Sequence, residues 1–92
     1  MIEFEWDEDK NRRNRAKHGV SFEEAKAVFS DRFMIENFDD RFGYSEERVV
    51  SVGMTNRGLL TVVNTQRDLR RRIISARHAT RQETDDYFTN RS

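Results

Sequence analysis

The stretch RRRIISARHATRQETDDYF, residues 70–88, decides how the chain folds. It opens with three arginines, passes into β-branched Ile73 and Ile74, and reads as a strand over about residues 70–77. Thr80 and Glu83 then stand three positions apart as a capping box, opening a final helix at about 81–90 that carries Tyr87 and Phe88. Regular alternation along the strand places Arg71, Ile73, Ser75 and Arg77 on one side and Arg70, Arg72, Ile74, Ala76 and His78 on the other. A strand with so many cations is either solvated decoration at a sheet edge or a surface that holds phosphate.

Working outward, the residues before this strand show a change of period. The start, IEFEW, alternates apolar and acidic and suits a short edge strand. Asp7 is placed to cap a first helix at about 8–17, with Glu8 and Asp9 in its first turn. That helix has Ala16 as its one apolar residue, while Lys10, Asn14, Lys17 and His18 follow one another at helical spacing. Gly19 fits the left-handed position that ends it. Ser21 and Glu24 form a capping box for a second helix, with Val20 and Ala25 as a staple and Phe22, Ala25, Val28 and Phe29 as its core stripe. After Asp31 the period becomes two, giving strands at about 33–38, 46–54, 59–65 and 70–77. DDRFGYS is a loop and TNRG a turn. The expected fold is α+β: two N-terminal helices, a four-stranded antiparallel sheet packed on one face, and a C-terminal helix, with a possible N-terminal edge strand.

The chain has 92 residues, expected as one domain over 1–92. It contains neither cysteine nor proline. The missing thiols and the acidic start MIEFEWDEDK, which lacks a signal-peptide layout, point to the cytoplasm. Two histidines set 60 residues apart offer no recognisable zinc site, so no metal and no cofactor is expected. Net charge is zero, yet the charges come in blocks. Five acids fall in residues 1–9, five bases in 10–18, eight acids against three bases in 23–47, and six bases against Asp68 in 67–81. A basic face beside an acidic one follows, unless opposite blocks pair within the fold.

The remaining chemistry belongs to Arg, Lys, His, Tyr and amides, a set suited to binding phosphodiester and stabilising added negative charge. RNA brings its own nucleophile in the 2′-OH, so cutting it requires only positioning, charge and proton transfer. Each residue also has a plainer role. Arg70 and Arg71 suit protection of a sheet edge, and Arg67 can serve the same purpose. Arg72 and Arg77 are equally suited to phosphate and to a structural ion pair. Arg48, beside Glu46 and Glu47, suits a structural pair. His18 follows a helix C-terminus, where capping competes with acid–base chemistry. Ser21 is accounted for by capping, and Tyr87 by core packing or docking.

Three segments, FEWDEDKNRRNRAKHGVSFEEAKAVFSD, EERVVSVG and RRIISARHATRQETDDY, together resemble the BrnT family of toxins over nearly the whole chain. The combination of W-D-x-x-K-x-x-x-N-x-x-K-H-G with R-x-I-S-A-R-x-A-x-x-x-E-x-x-x-Y carries the resemblance. It implies a RelE-like ribonuclease fold, RNA cleavage that arrests growth, and a BrnA-like ribbon-helix-helix antitoxin with which the toxin forms a hetero-oligomer. That complex would repress its own operon, touching operator DNA through the antitoxin. The family pattern singles out Lys10, Asn14, Lys17, His18, Arg48, Arg72, Arg77, Glu83 and Tyr87, of which Glu83 is assigned to capping. Position 71, often aliphatic in such sequences, is Arg here. On this reading Arg72 and Arg77 act at the scissile phosphate, His18 or Tyr87 moves protons, and Lys10, Asn14, Lys17, Arg48 and Arg67 bind RNA. The competing class is a non-enzymatic adaptor that uses the same basic surface for nucleic acid, or its acidic blocks for a protein.

Overall fold

The computed structural model describes residues 2–39 and 48–90. In chain order it contains β1 (Glu3–Glu5), α1 (Glu8–His18), α2 (Phe22–Ala25), a 3₁₀ segment (Lys26–Ser30), β2 (Ile35–Asp39), β3 (Arg48–Thr55), β4 (Gly58–Arg67), β5 (Arg70–His78) and α3 (Arg81–Asn90). The sheet has five strands in the order β1-β5-β4-β3-β2. The four expected antiparallel strands are present, but β1 joins them parallel to β5, so the sheet is mixed. β1 is held there because Phe4 packs on the core between two outward glutamates. The DDRFGYS loop beyond Asp39, with Asp40, and the acids Glu46 and Glu47 lie outside the described residues.

The local signals for helix ends are realised. The Asp7 carboxylate accepts from the N–H groups of Asp9 and Lys10, which holds its pKa below the ordinary value. Gly19 ends α1 in the left-handed region at φ 72° and donates to the Arg15 carbonyl. Ser21 and Glu24 exchange both capping-box bonds. The helix they open is shorter than expected, one α turn followed by the 3₁₀ segment. That segment lies directly on β3. A Cβ at Gly53 would come within 2.9 Å of the Val28 carbonyl oxygen, so a glycine there permits the approach.

One face of the sheet carries the core. Leu60, Val62, Ile73 and Ala76 pack there with Val20, Phe22, Ala25 and Val28, joined by Phe4, Trp6, Phe29 and Met34. The other face is not bare, as the expectation of a sheet packed on one side had it. Thr61 and Arg77, cross-strand partners that alternate with the core residues, both bond Glu83 of α3. Thus α3 covers one end of the second face and leaves the rest open.

The faces of β5 also differ from simple alternation. Asn64 pairs with Ile73 and Val63 with Ser75, so Ile74 is an extra residue forming a β-bulge. Before the bulge Arg71 and Ile73 point to the core, and after it Ala76 does. Arg70, Arg72, Ser75 and Arg77 consequently share the open face. Arg71 is therefore no edge decoration. It is 6% exposed, with its guanidinium 4.6 Å from the Phe29 ring. Nη1 donates to Glu36 (2.7 Å) and Asn64 (3.1 Å), and Nη2 to Gln66 (3.2 Å). Ser51 extends this network to both Glu36 and Asn64.

Candidate nucleic-acid interface

β5 organises the open face. At its start, Arg67, Arg70 and Arg72 with Thr65 and Glu5 line a depression of about 230 Å³. Arg67 and Arg70 flank the two-residue β4–β5 turn, where Asp68 takes φ 52°. Two strand positions beyond Arg72, about 7 Å along the chain, Ile74 and Ser75 enter a second depression of about 220 Å³. Its other wall is α1, through Lys10, Arg13, Asn14, Lys17 and His18. The helical stripe noted in the sequence thus meets the arginine strand at the bulge. Lys10, Arg13, Lys17 and Arg67 form no salt bridge among the described residues, leaving their charge available to an anion. Together the depressions make a basic belt running along β5.

Asn14 has a different duty within that belt. It is buried, and its side-chain amide pairs with the outer backbone edge of β5 beyond the end of β1. Its Oδ1 accepts from the Ala76 N–H (3.1 Å) while Nδ2 donates to the carbonyls of Ala76 (2.7 Å) and Val20 (2.8 Å). Asn11, one turn earlier, does the same for α2. It accepts from the Phe22 N–H and donates to Glu8 and Glu23. These two amides attach a helix that has almost no apolar face.

Arg77 continues the open-face row past Ser75, but Glu83 holds it in a bidentate pair at 2.7 and 2.9 Å. The pair lowers the Glu83 carboxyl to about 2, chiefly through the Arg77 hydrogen bonds, with help from the Thr80 N–H and Thr61 hydroxyl. The same bonds raise Arg77. Glu83 meanwhile completes the expected capping box with Thr80. Tyr87 lies away from the belt, 2% exposed, donating its hydroxyl to Asp31 at 2.5 Å. The Asp31 carboxylate also accepts from the N–H groups of Met54 and Phe33, so it joins α3 to β3. Arg48 opens β3, half-buried and opposite Asp39 in register, in neither depression.

Of the residues singled out by sequence, Lys10, Asn14, Lys17, His18, Arg67 and Arg72 therefore gather along β5. Arg77 adjoins them with its charge engaged, while Tyr87 and Arg48 lie elsewhere. Arg13, Ser75, Thr65 and Glu5 were not singled out, and Arg70 was set aside as edge charge. Arg13 had a legible signal, since it falls three after Lys10 and four before Lys17 on one helix face. Among the described residues no helix is long and apolar enough to cross a membrane.

The sequence places this chain in a class. It matches a family model described as a ribonuclease toxin of a type II toxin–antitoxin system, over residues 6–83. A toxin of that class has an antitoxin as its partner. The matched family is BrnT, and the chain belongs to it. The matched residues hold the whole of the first motif and the second as far as Glu83. A comparison with curated proteins gives no match.

Proposed function

We propose that this protein is an endoribonuclease that cleaves RNA without a metal ion and so arrests growth. A ribbon-helix-helix antitoxin of BrnA type would neutralise it and, in complex with it, repress their operon in the cytoplasm. The observation that carries the reading is the basic belt along β5, in a chain whose family consists of ribonuclease toxins. Arg67, Arg70 and Arg72 take one phosphate of the RNA backbone, and Lys10, Arg13 and Lys17 the neighbouring one. The 2′-oxygen attacks the adjacent phosphorus, and the bond from phosphorus to the 5′-oxygen breaks. The products are a 2′,3′-cyclic phosphate and a 5′-hydroxyl. Arg72 stabilises the added charge as the phosphorane forms. His18, at the wall of the second depression, is the proton-transfer group within reach of the belt. Arg77 and Tyr87 position α3 rather than touch the phosphate.

One observation favours the adaptor reading. With Arg77 and Tyr87 engaged in the fold, His18 alone of the residues expected to perform chemistry by proton transfer borders the belt. Induced expression with RNA mapping separates the two. An endoribonuclease gives growth arrest and discrete cleavage that persists in EDTA, with cyclic phosphate ends. Intact RNA during arrest would leave the adaptor, and cleavage abolished by EDTA and restored by a divalent ion would refute the metal-free mechanism. The antitoxin, meeting the belt with acidic or polar groups, should compete with RNA. A complex that binds RNA as tightly as the free toxin would refute that masking.

A further inference from the structure

The first depression contains an anion of its own, Glu5, and Glu3 lies two residues before it on β1. β1 lies beside β5 with Glu3 opposite Arg70 and Glu5 opposite Arg72. Phe4, between the two acids, turns into the core, which obliges both glutamates onto the open face. There Glu5 Oε2 lies 3.9 Å from Arg72 Nη1, and Glu3 Oε2 lies 3.4 Å from Arg70 Nε. All four side chains are between 40% and 68% exposed. Pairs this exposed are weak and open easily. The carboxylates nevertheless occupy the guanidinium groups that a phosphate would take. Both acids precede residues 6–83, the span that the family model matches.

Resting on the reading that this face holds RNA phosphate, we propose that Glu3 and Glu5 are built-in competitors of the RNA backbone. They neutralise Arg70 and Arg72 in the free protein and give way when phosphate arrives, so they set the affinity of the site below what its arginines alone would give. An isolated anion gains little by displacing a carboxylate of equal charge. A nucleic-acid chain gains more, because its successive phosphates engage Arg67 and the α1 cations at the same time. Glu3 and Glu5 thereby act as specificity-determining residues that favour polymer over single phosphates.

The test measures binding of a fluorescent single-stranded deoxyoligonucleotide, which lacks the 2′-OH and cannot be cut, to the full chain and its variants. Glu5→Gln should bind about threefold tighter and the Glu3→Gln/Glu5→Gln double variant about tenfold tighter at low salt, with the advantage fading as salt rises. The slope of log K against log salt should steepen by about 0.7 for each arginine freed. Adding Arg72→Gln to Glu5→Gln should cancel the gain. Gln variants that melt like the wild type yet bind equally or more weakly would overturn the proposal, showing that the glutamates orient the arginines instead. Absence of binding by wild type and variants alike at low salt would overturn the phosphate-surface reading itself, and this proposal with it.

Discussion

Replacing Arg77 by alanine tests whether that arginine serves the fold or the reaction. Its guanidinium is spent on Glu83, whose carboxylate also caps α3 and accepts from Thr61. The drop of Glu83 from 4.5 to about 2 corresponds to about 3 kcal/mol at roughly 1.4 kcal/mol per pH unit. The Glu83 side chain is 21% exposed and that of Arg77 37%, so solvent screening reduces this to about 2 kcal/mol. For a domain of this length Arg77→Ala should lower Tm by roughly 8–16 °C at pH 7. Because the folded value of Glu83 lies below its unfolded one, this contribution is complete above about pH 4.5 and disappears as pH falls toward 2. The melting gap between wild type and Arg77→Ala should therefore narrow steadily on acidification, and Glu83→Gln should show the same narrowing. Arg72→Ala provides the contrast. Its partner is a 3.9 Å exposed contact, so Tm should hardly move while cleavage falls by about 10²-fold or more. Circular-dichroism melts from pH 7 to 3 and initial cleavage rates on the same preparations decide the matter. An Arg77→Ala protein that melts like the wild type but no longer cuts RNA would refute the structural assignment.

Other substitutions address the remaining polar joints. Asn14→Ala leaves the buried N–H and C=O of Ala76 without partners and should cost about 2–4 kcal/mol in denaturant melts, with hydrogen exchange rising at Ala76. Arg71→Ala should cost about 3 kcal/mol by stranding Glu36, Asn64 and Gln66, whereas Arg71→Met combined with Glu36→Gln should recover most of it, as thermal melts would show. Tyr87→Phe loses one hydrogen bond to Asp31 and should cost about 1–2 kcal/mol, leaving the cleavage rate of the folded fraction unchanged.

What the sequence disclosed was what neighbouring residues decide among themselves. Both capping boxes, the glycine end of α1 and the change from helical to strand period depend on side chains within four positions of each other, and all were legible. Arg71 was misread because its partners are not local. Glu36 is 35 residues away on the far edge strand, and Phe29 belongs to a 3₁₀ segment laid on the sheet. The move of Arg70 and Arg71 from an edge strand to an inner strand likewise depends on β1, whose pairing with β5 joins residues more than 60 apart. Asn14 drew notice for its place in a polar helical stripe. Its actual use, as a substitute for a missing neighbouring strand, depends on where β1 stops.

The bulge is the most instructive case, because the site depends on it and its trace was present in the motif. Arg72 and Arg77 are five positions apart, an odd separation that regular alternation sends to opposite faces. Had the strand stayed regular past Ile73, Arg77 would have stood opposite Leu60 and pointed into the core, away from Glu83. The one extra residue at Ile74 brings both arginines, and Ser75 between them, onto the open face. It also turns Ala76 inward, where its backbone meets Asn14 and its side chain joins the core. Two cations at odd spacing around β-branched residues are thus themselves a reason to place a bulge between them. The motif R-x-I-S-A-R specifies a break in the pleat as much as a set of side chains. Deleting the residue at position 74 would leave Arg72 and Arg77 an even four positions apart, so a regular strand without the bulge would still hold both, with Ser75, on the open face.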